Sequence, residues 1–195
     1  MGFVLISTLY TDDSVHLALA KYKITELILL VDEEPHKNQV SLSKEIKKQY
    51  SERIKIREVR IPKYDVFETT KQCLELIDTA KAKIIANITT GRKPQAFGLQ
   101  YACFKRPKKV EKIIYVTEET KEIVELPVIS FDITTAQQGV LRNIKQGLSI
   151  DDLAKTIDRS RAMTYRIINS LIQKGLLDDI NGEPHVTDAG KIALL

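Results

Sequence analysis

Five short strand-like segments, four of them apolar runs and one (55–61) alternating, separated by helical patterns across the first two thirds of the chain, constrain its fold more than any other feature. The apolar runs are residues 3–6, 27–31, 83–88 and 112–116, and residues 55–61 alternate. Between them, apolar positions recur at helical spacing over residues 14–22, 41–50, 66–80 and 95–104. A strand, a helix and a second strand make a crossover unit, and successive crossover units build a parallel sheet. Runs that lack strict alternation suit strands covered on both faces. This half therefore reads as α/β, a Rossmann-like, doubly wound and mainly parallel sheet. A turn over residues 118–121 followed by residues 122–126 predicts an antiparallel edge strand, and Pro127 breaks the pattern.

From Thr134 the strand alternation stops, which places a first domain at residues 1–126, a packed linker at 127–133 and a second domain at 134–195. Residues 135–146 read as a helix closed by Gly147. Ser149 caps a second helix running to about Ile157, with Asp151 and Asp152 in its first turn, where the positive helix start favours acids. Ser160 caps a third, and Gly175 supplies the left-handed residue after its end. Asn181-Gly182 between short apolar segments is a hairpin signal, and Thr187 with Asp188 starts a last helix. Three helices and a hairpin in this order predict a winged helix-turn-helix.

The third helix predicts a core face of Met163, Ile167, Ile168 and Leu171, with Arg161, Ala162, Tyr165, Arg166 and Asn169 on the opposite arc. No acid occurs from Arg159 to Leu177. A small, polar and cationic helix start suits the major groove of double-stranded DNA. The DNA-binding candidates are Arg159, Ser160, Arg161, Tyr165, Arg166 and Asn169; use of the same fold for protein contacts or dimerisation is the alternative. The predicted wing carries Asp178, Asp179 and Glu183, and no Lys or Arg lies between Leu176 and Gly190. Phosphates would repel it, so contact is expected through the helix and not the wing tip.

Composition excludes several classes. The formal net charge of +4 is too small for a polybasic coat, so any DNA contact must come from a local patch. Cys73 and Cys103 form no Cys-x-x-Cys pair, and His16, His36 and His185 are scattered, which argues against a disulfide framework or a metal site. No apolar run reaches the ~18 residues that span a bilayer, and the start lacks a basic leader region. A soluble cytoplasmic protein with no membrane partner is expected.

Two polar loops follow strand ends, where open α/β sheets bind ligands. The first runs from Ser7 and Thr8 through Tyr10 to Asp13. The second is Asn87-Ile-Thr89-Thr90-Gly91-Arg92-Lys93-Pro94, leading into a helix. Gly91 permits a sharp turn and close approach, and Pro94 suits a first helical turn. The threonine hydroxyls, the two cations and the free amides of the helix start make a phosphate cradle; a capped turn with no ligand accounts for the same residues. Neither G-x-G-x-x-G nor G-x-x-x-x-G-K-[ST] occurs, which argues against an ordinary dinucleotide site and an ATP-hydrolysing loop.

Those segments carry a resemblance. Asn87 to Lys93 is similar to the second motif of CARF domains, roughly N-x-[ST]-G-G-[TR]-[KR], with Thr90 in place of the first glycine. Ser7 and Thr8 match the small hydroxyl residues of the first motif. Ser160-Arg-Ala-Met-Thr-Tyr-Arg-Ile-Ile-Asn-Ser-Leu171-Ile-Gln-Lys-Gly175-Leu176 resembles the reading segment of many prokaryotic winged regulators. The whole plan resembles the archaeal CRISPR-associated transcription regulators of antiviral defence that join a CARF domain to a winged helix-turn-helix. The resemblance implies a homodimer whose sensor loops face each other across a twofold axis. It needs no cofactor; its effector is a cyclic oligoadenylate, cyclic tetraadenylate above all, whose symmetry matches the dimer. Ser7, Thr8, Tyr10, Asn87, Thr89, Thr90, Gly91, Arg92 and Lys93 are the implied ligand-binding residues, and promoter DNA is the implied partner. The alternative is a metal-independent ring nuclease in which Ser7 or Thr8, with Lys93, positions the ligand's own ribose hydroxyl for attack. A non-sensing interaction protein is the third reading.

Overall fold

The computed structural model describes residues 2–128 and 133–195. The chain divides into two compact units, Met1–Ser130 and Phe131–Leu195.

The first unit runs β1 (Phe3–Thr8), α1 (Asp13–Lys21), β2 (Ile24–Asp32), α2 (Lys37–Tyr50), β3 (Lys55–Ile61), α3 (Val66–Thr79), β4 (Ile84–Asn87) and α4 (Lys93–Lys105). A 3-10 turn at Pro107–Lys109 then leads into β5 (Val110–Val116) and β6 (Ile123–Leu126). The six strands lie in the order β3-β2-β1-β4-β5-β6. The first five are parallel, and β6 pairs antiparallel with β5. This is a mixed α/β, Rossmann-like sheet with the antiparallel edge strand that residues 122–126 predict. The chain moves outward from β1 to β3, then returns to the other side of β1 to lay down β4. The crevice where strand order reverses therefore opens at the carboxyl ends of β1 and β4.

Packing explains the strand sequences. Leu5, Leu27, Leu29, Ile85 and Ile114 bury one sheet face with Val15 and Ala18 of α1 and Ile46 of α2. On α3 and α4, Cys73, Ile77, Leu99 and Ala102 are fully buried. These two helices close tightly because Gly98 lacks a side chain: a Cβ there would lie 2.5 Å from Thr69 Cγ2. Two boundaries differ from the sequence reading. Strand β2 begins at Ile24, three residues before the apolar run, because Thr25 and Glu26 break its hydrophobic signal. Helix α2 begins at Lys37 because His36 caps it, its Nδ1 accepting from the Asn38 amide at 3.3 Å.

The second unit comprises α5 (Thr135–Lys145), α6 (Ile150–Thr156), α7 (Arg161–Gln173), the antiparallel hairpin β7 (Leu177–Ile180) and β8 (Glu183–Val186), and α8 (Asp188–Ala193). Thr134, Ser149, Ser160 and Thr187 each accept a backbone amide at a helix start. Asn181 and Gly182 turn the hairpin at φ 57° and 86°. The core joins Val140, Leu141, Leu153, Ile168, Leu171, Leu177 and Ala193. Met163 is not part of it. Its side chain is 44% exposed, and Thr164 is buried instead, its hydroxyl donating to Ser160 O at 3.1 Å. Ile168 and Leu171 set the inward stripe, and four residues back from Ile168 is position 164; methionine's greater hydrophobicity does not override that geometry.

Residues 129–132 of the predicted linker lie outside the described residues. Among the described residues, no helix is long and apolar enough to cross a membrane, and no group of three or more His, Cys, Asp or Glu side chains is placed to hold a metal.

Candidate functional site

Parallel pairing of β1 with β4 sets Ser7 beside Asn87. The Asn87 amide nitrogen donates to Ser7 Oγ and Ser14 Oγ, each at 3.0 Å. Its carbonyl oxygen accepts from the Thr89 amide at 3.2 Å and the Thr89 hydroxyl at 2.6 Å. Thr89 Oγ1 also accepts from the Val116 amide at 2.9 Å, which ties this loop to the end of β5. Ser7 and Asn87 are fully buried. The structure thus brings these two expected ligand residues together as the floor beneath the crevice, facing each other and not solvent.

The two loops are laced across the switch point. Thr8, also buried, donates its hydroxyl to Thr90 O. Thr90 Oγ1 donates to Thr8 O at 2.9 Å and accepts from the Tyr10 amide at 3.3 Å. A glycine at position 90 would make neither side-chain bond, so the departure from the motif ties the loops together. Gly91 follows at φ +88°, where a Cβ would lie 2.8 Å from Thr8 Cβ. Only glycine meets both the backbone conformation and the contact.

Helix α4 opens on this turn. The Arg92 amide donates to Gln95 Oε1 at 3.3 Å, and Pro94 stands in the first turn, where no acid occurs. Arg92 Nε donates to Asp32 Oδ2 at 3.3 Å, and Gln95 Nε2 donates to Asp32 Oδ1 at 2.9 Å. Asp32 is 1% exposed at the end of β2. Arg92 Nη1 also donates to the Tyr64 hydroxyl at 3.1 Å, with the guanidinium 5.3 Å from that ring's centre. The two expected cations therefore part company. Arg92 is neutralised by a buried carboxylate, while Lys93 is exposed and has no ion pair or hydrogen bond among the described residues. Three aromatic residues in this part of the unit are exposed: Tyr10 after β1, Tyr64 after β3 and Phe97 four residues along α4 from Lys93. Sequence reasoning missed Asp32, because Asp-Glu-Glu-Pro reads as a solvated loop and nothing in the spacing links it to an arginine sixty positions on.

A second chain of polar groups steadies the first loop. Asp12 Oδ2 meets His16 Nε2 at 3.1 Å, and His16 Nδ1 meets the Tyr50 hydroxyl at 2.8 Å. His16 joins α1 to α2 here, a structural role of the kind its isolated place in the sequence suggests.

In the second unit Arg161, Tyr165, Arg166 and Asn169 share an exposed face of α7. Arg161 lies over Tyr165 at 5.9 Å and pairs with Asp151 of α6 at 3.3 Å. That acid escaped a reading confined to α7 itself. Ser160 is engaged as the helix cap, and exposed Arg159 donates to Asp158 O at 2.8 Å. On the hairpin, Asp179 Oδ1 accepts the Gly182 amide at 2.8 Å, so one of its acids serves the turn.

Comparison with known proteins finds similar solved structures and a family. Can2 from Sulfobacillus thermosulfidooxidans, solved in complex with cyclic tetra-adenylate, is 14% identical to this chain with a TM-score of 0.49. The match covers 96% of this chain, which spans 62% of that one. No curated protein matches. A family model described as HFX_2341_N:-like, N-terminal, matches residues 5–121, more than half of the chain. The chain belongs to that family.

Proposed function

We propose that this protein senses a cyclic oligoadenylate, cyclic tetraadenylate above all, and binds promoter DNA under its control. The observation that carries the reading is the pair of loops laced across the β1–β4 crevice beside an unpaired lysine at a helix start. The Lys93 backbone amide and ammonium at the start of α4 offer a place for phosphate; Pro94 beside it has no N–H, and the Gln95 amide donates to Arg92 O at 3.0 Å. The faces of Tyr10, Tyr64 and Phe97 offer stacking surfaces for nucleobases, which every base can use. Ser7, Thr8, Asn87, Thr89, Thr90 and Gly91 shape the crevice from below, and Arg92 braces it. A twofold homodimer would present two such crevices to one symmetric ring.

The second unit is a winged helix-turn-helix in this reading. Helix α7 enters the major groove with Arg161, Tyr165, Arg166 and Asn169, and Arg159 and Ser160 lie at its start. Ligand binding alters DNA binding only through a difference in affinity for two states of the dimer. Binding is preferred over ring cleavage because the Ser7 and Thr8 hydroxyls are buried and donate to backbone carbonyls.

Calorimetric titration with cyclic tetraadenylate tests the sensor. One ring per dimer, with at least tenfold weaker binding in Lys93→Ala, is the expected result; a folded protein that takes up no ring overturns it. Preference for promoter over random duplex should be lost in the Arg161→Ala/Arg166→Ala variant, and an unchanged preference removes the DNA-reading role from α7.

A further inference from the structure

The net charge of +4 has a location. Residues 131–195 carry eight cations and eight acids, so the half proposed to read DNA is neutral, and its hairpin is acidic. All the excess lies in the first unit, where it is segregated by end of the sheet. The links at the carboxyl ends of the strands, residues 9–12, 33–36, 62–65, 88–92 and 117–122, hold seven acids and three cations. The links into β2, β3, β4 and β5, residues 22–23, 51–54, 80–83 and 106–109, hold seven cations and one acid, Glu52, and Lys21, Lys55 and Lys105 flank them at the ends of α1, β3 and α4.

Helix ends attract lysine by complementing the backbone dipole, but this explains only part of the row. Lys21 and Lys105 stand in the last turns of α1 and α4. The last turn of α3 has no basic residue, yet Lys81 and Lys83 follow it. Nor do neighbouring acids cancel the row. Arg106 and Lys109 share Asp78, Lys83 pairs with Glu111, and Lys55 pairs with Glu26. Lys21, Lys23, Arg53, Lys81 and Lys108 are exposed and have no ion pair among the described residues. Strands lie ~4.8 Å apart, so the row from β3 to β5 extends about 19 Å. That length of duplex axis carries ~11 phosphate charges.

We propose that this amino-terminal edge of the sheet is a second nucleic-acid surface, one that grips the duplex DNA backbone without reading sequence. The inference rests on the reading of the chain as a DNA-binding protein but not on its effector. It adds phosphate neutralisation to that of the few cations on and beside α7 in a unit with no net charge, and phosphate neutralisation dominates duplex affinity.

The test uses the full-length protein and a labelled duplex of random sequence, with anisotropy titrations at several salt concentrations. Arg53→Gln/Lys81→Gln/Lys108→Gln should weaken binding at least tenfold at low salt and reduce the log–log salt slope by about 3, roughly one per lost phosphate contact. A control with the same charge change on helix surfaces, Lys37→Gln/Lys44→Gln/Lys71→Gln, should leave the slope nearly intact. Equal loss in the control, an unchanged slope in the edge variant, or no binding of random duplex by the wild type each overturns the proposal. Arg161→Ala/Arg166→Ala, measured in parallel, should spare random-duplex binding and remove promoter preference, so a failure of α7 is read separately from a failure of the edge.

Discussion

Asp32 holds Arg92 across the end of the sheet, its buried carboxylate accepting the guanidinium Nε at 3.3 Å. The two partners differ in exposure: the Asp32 side chain is 2% accessible and that of Arg92 34%. Cutting the pair from either side should therefore have unequal effects. Arg92→Ala strands a charge whose one remaining side-chain partner among the described residues is the Gln95 amide, and should lower stability by about 3 kcal/mol. Asp32→Asn keeps an acceptor for Gln95, lets Arg92 turn to water, and should cost about 1 kcal/mol. Urea unfolding measures both, and equal losses would contradict the asymmetry. Asp32→Asn also frees a cation next to Lys93, so an anionic ligand should bind the variant more tightly than the wild type.

Gly91 is constrained twice, by its φ of +88° and by Thr8. Gly91→Ala should destabilise the first unit by about 1–3 kcal/mol. Gly91→Asn distinguishes the two constraints. Asparagine tolerates positive φ, so recovery in that variant would mean that backbone strain dominates; continued loss, the expected result, assigns the penalty to the Thr8 contact.

The two cysteines should be chemically silent in the native protein. Burial pushes the Cys73 thiol up to about 12, and burial with Cys73 nearby raises Cys103 as well. The thiolate is the reactive form, so at pH 8 neither should react with Ellman's reagent. Reactivity should appear together with urea unfolding of the first unit. A fast native phase would show that α3 and α4 open independently.

Asp78 links α3 to the turn before β5, and hydrogen bonds from Arg106 hold its carboxyl below the ordinary value. A depressed folded pKa stabilises above the unfolded value and loses that contribution as pH falls through the folded one. Arg106→Gln should thus lower stability at pH 7 and converge with the wild type as pH falls below the Asp78 range. The side chain is 41% exposed, so the difference at pH 7 should be no more than about 1 kcal/mol. A gap that persists undiminished at pH 2.5 would assign the effect to packing.

Much of the fold was legible because its signals are local. Apolar runs mark covered strands, Ser149, Ser160 and Thr187 mark helix starts, and Asn181-Gly182 marks the hairpin. The failures share a physical cause. In a strand covered on both faces there is no polar–apolar contrast to show which way a side chain points, so Ser7, Thr8 and Asn87 were recognisable as a cluster but not as a buried one. Asp32 and Asp151 act through space on arginines that lie elsewhere in the sequence. Thr164 occupies the core because helix phase outranks the hydrophobicity of the adjacent Met163.

Asn87 engages both amide hydrogens and two oxygen lone pairs inside the protein, on Ser7, Ser14 and Thr89. A hinge requires bonds that can be exchanged for others; here each exchange would leave a buried hydroxyl or amide without a partner. The junction between the two loops is in this sense a rivet. A molecule entering the crevice meets walls already in their final shape, so the entropy lost on association is mostly the visitor's own, and stiff ligands lose least while flexible ones are penalised for every bond they must freeze.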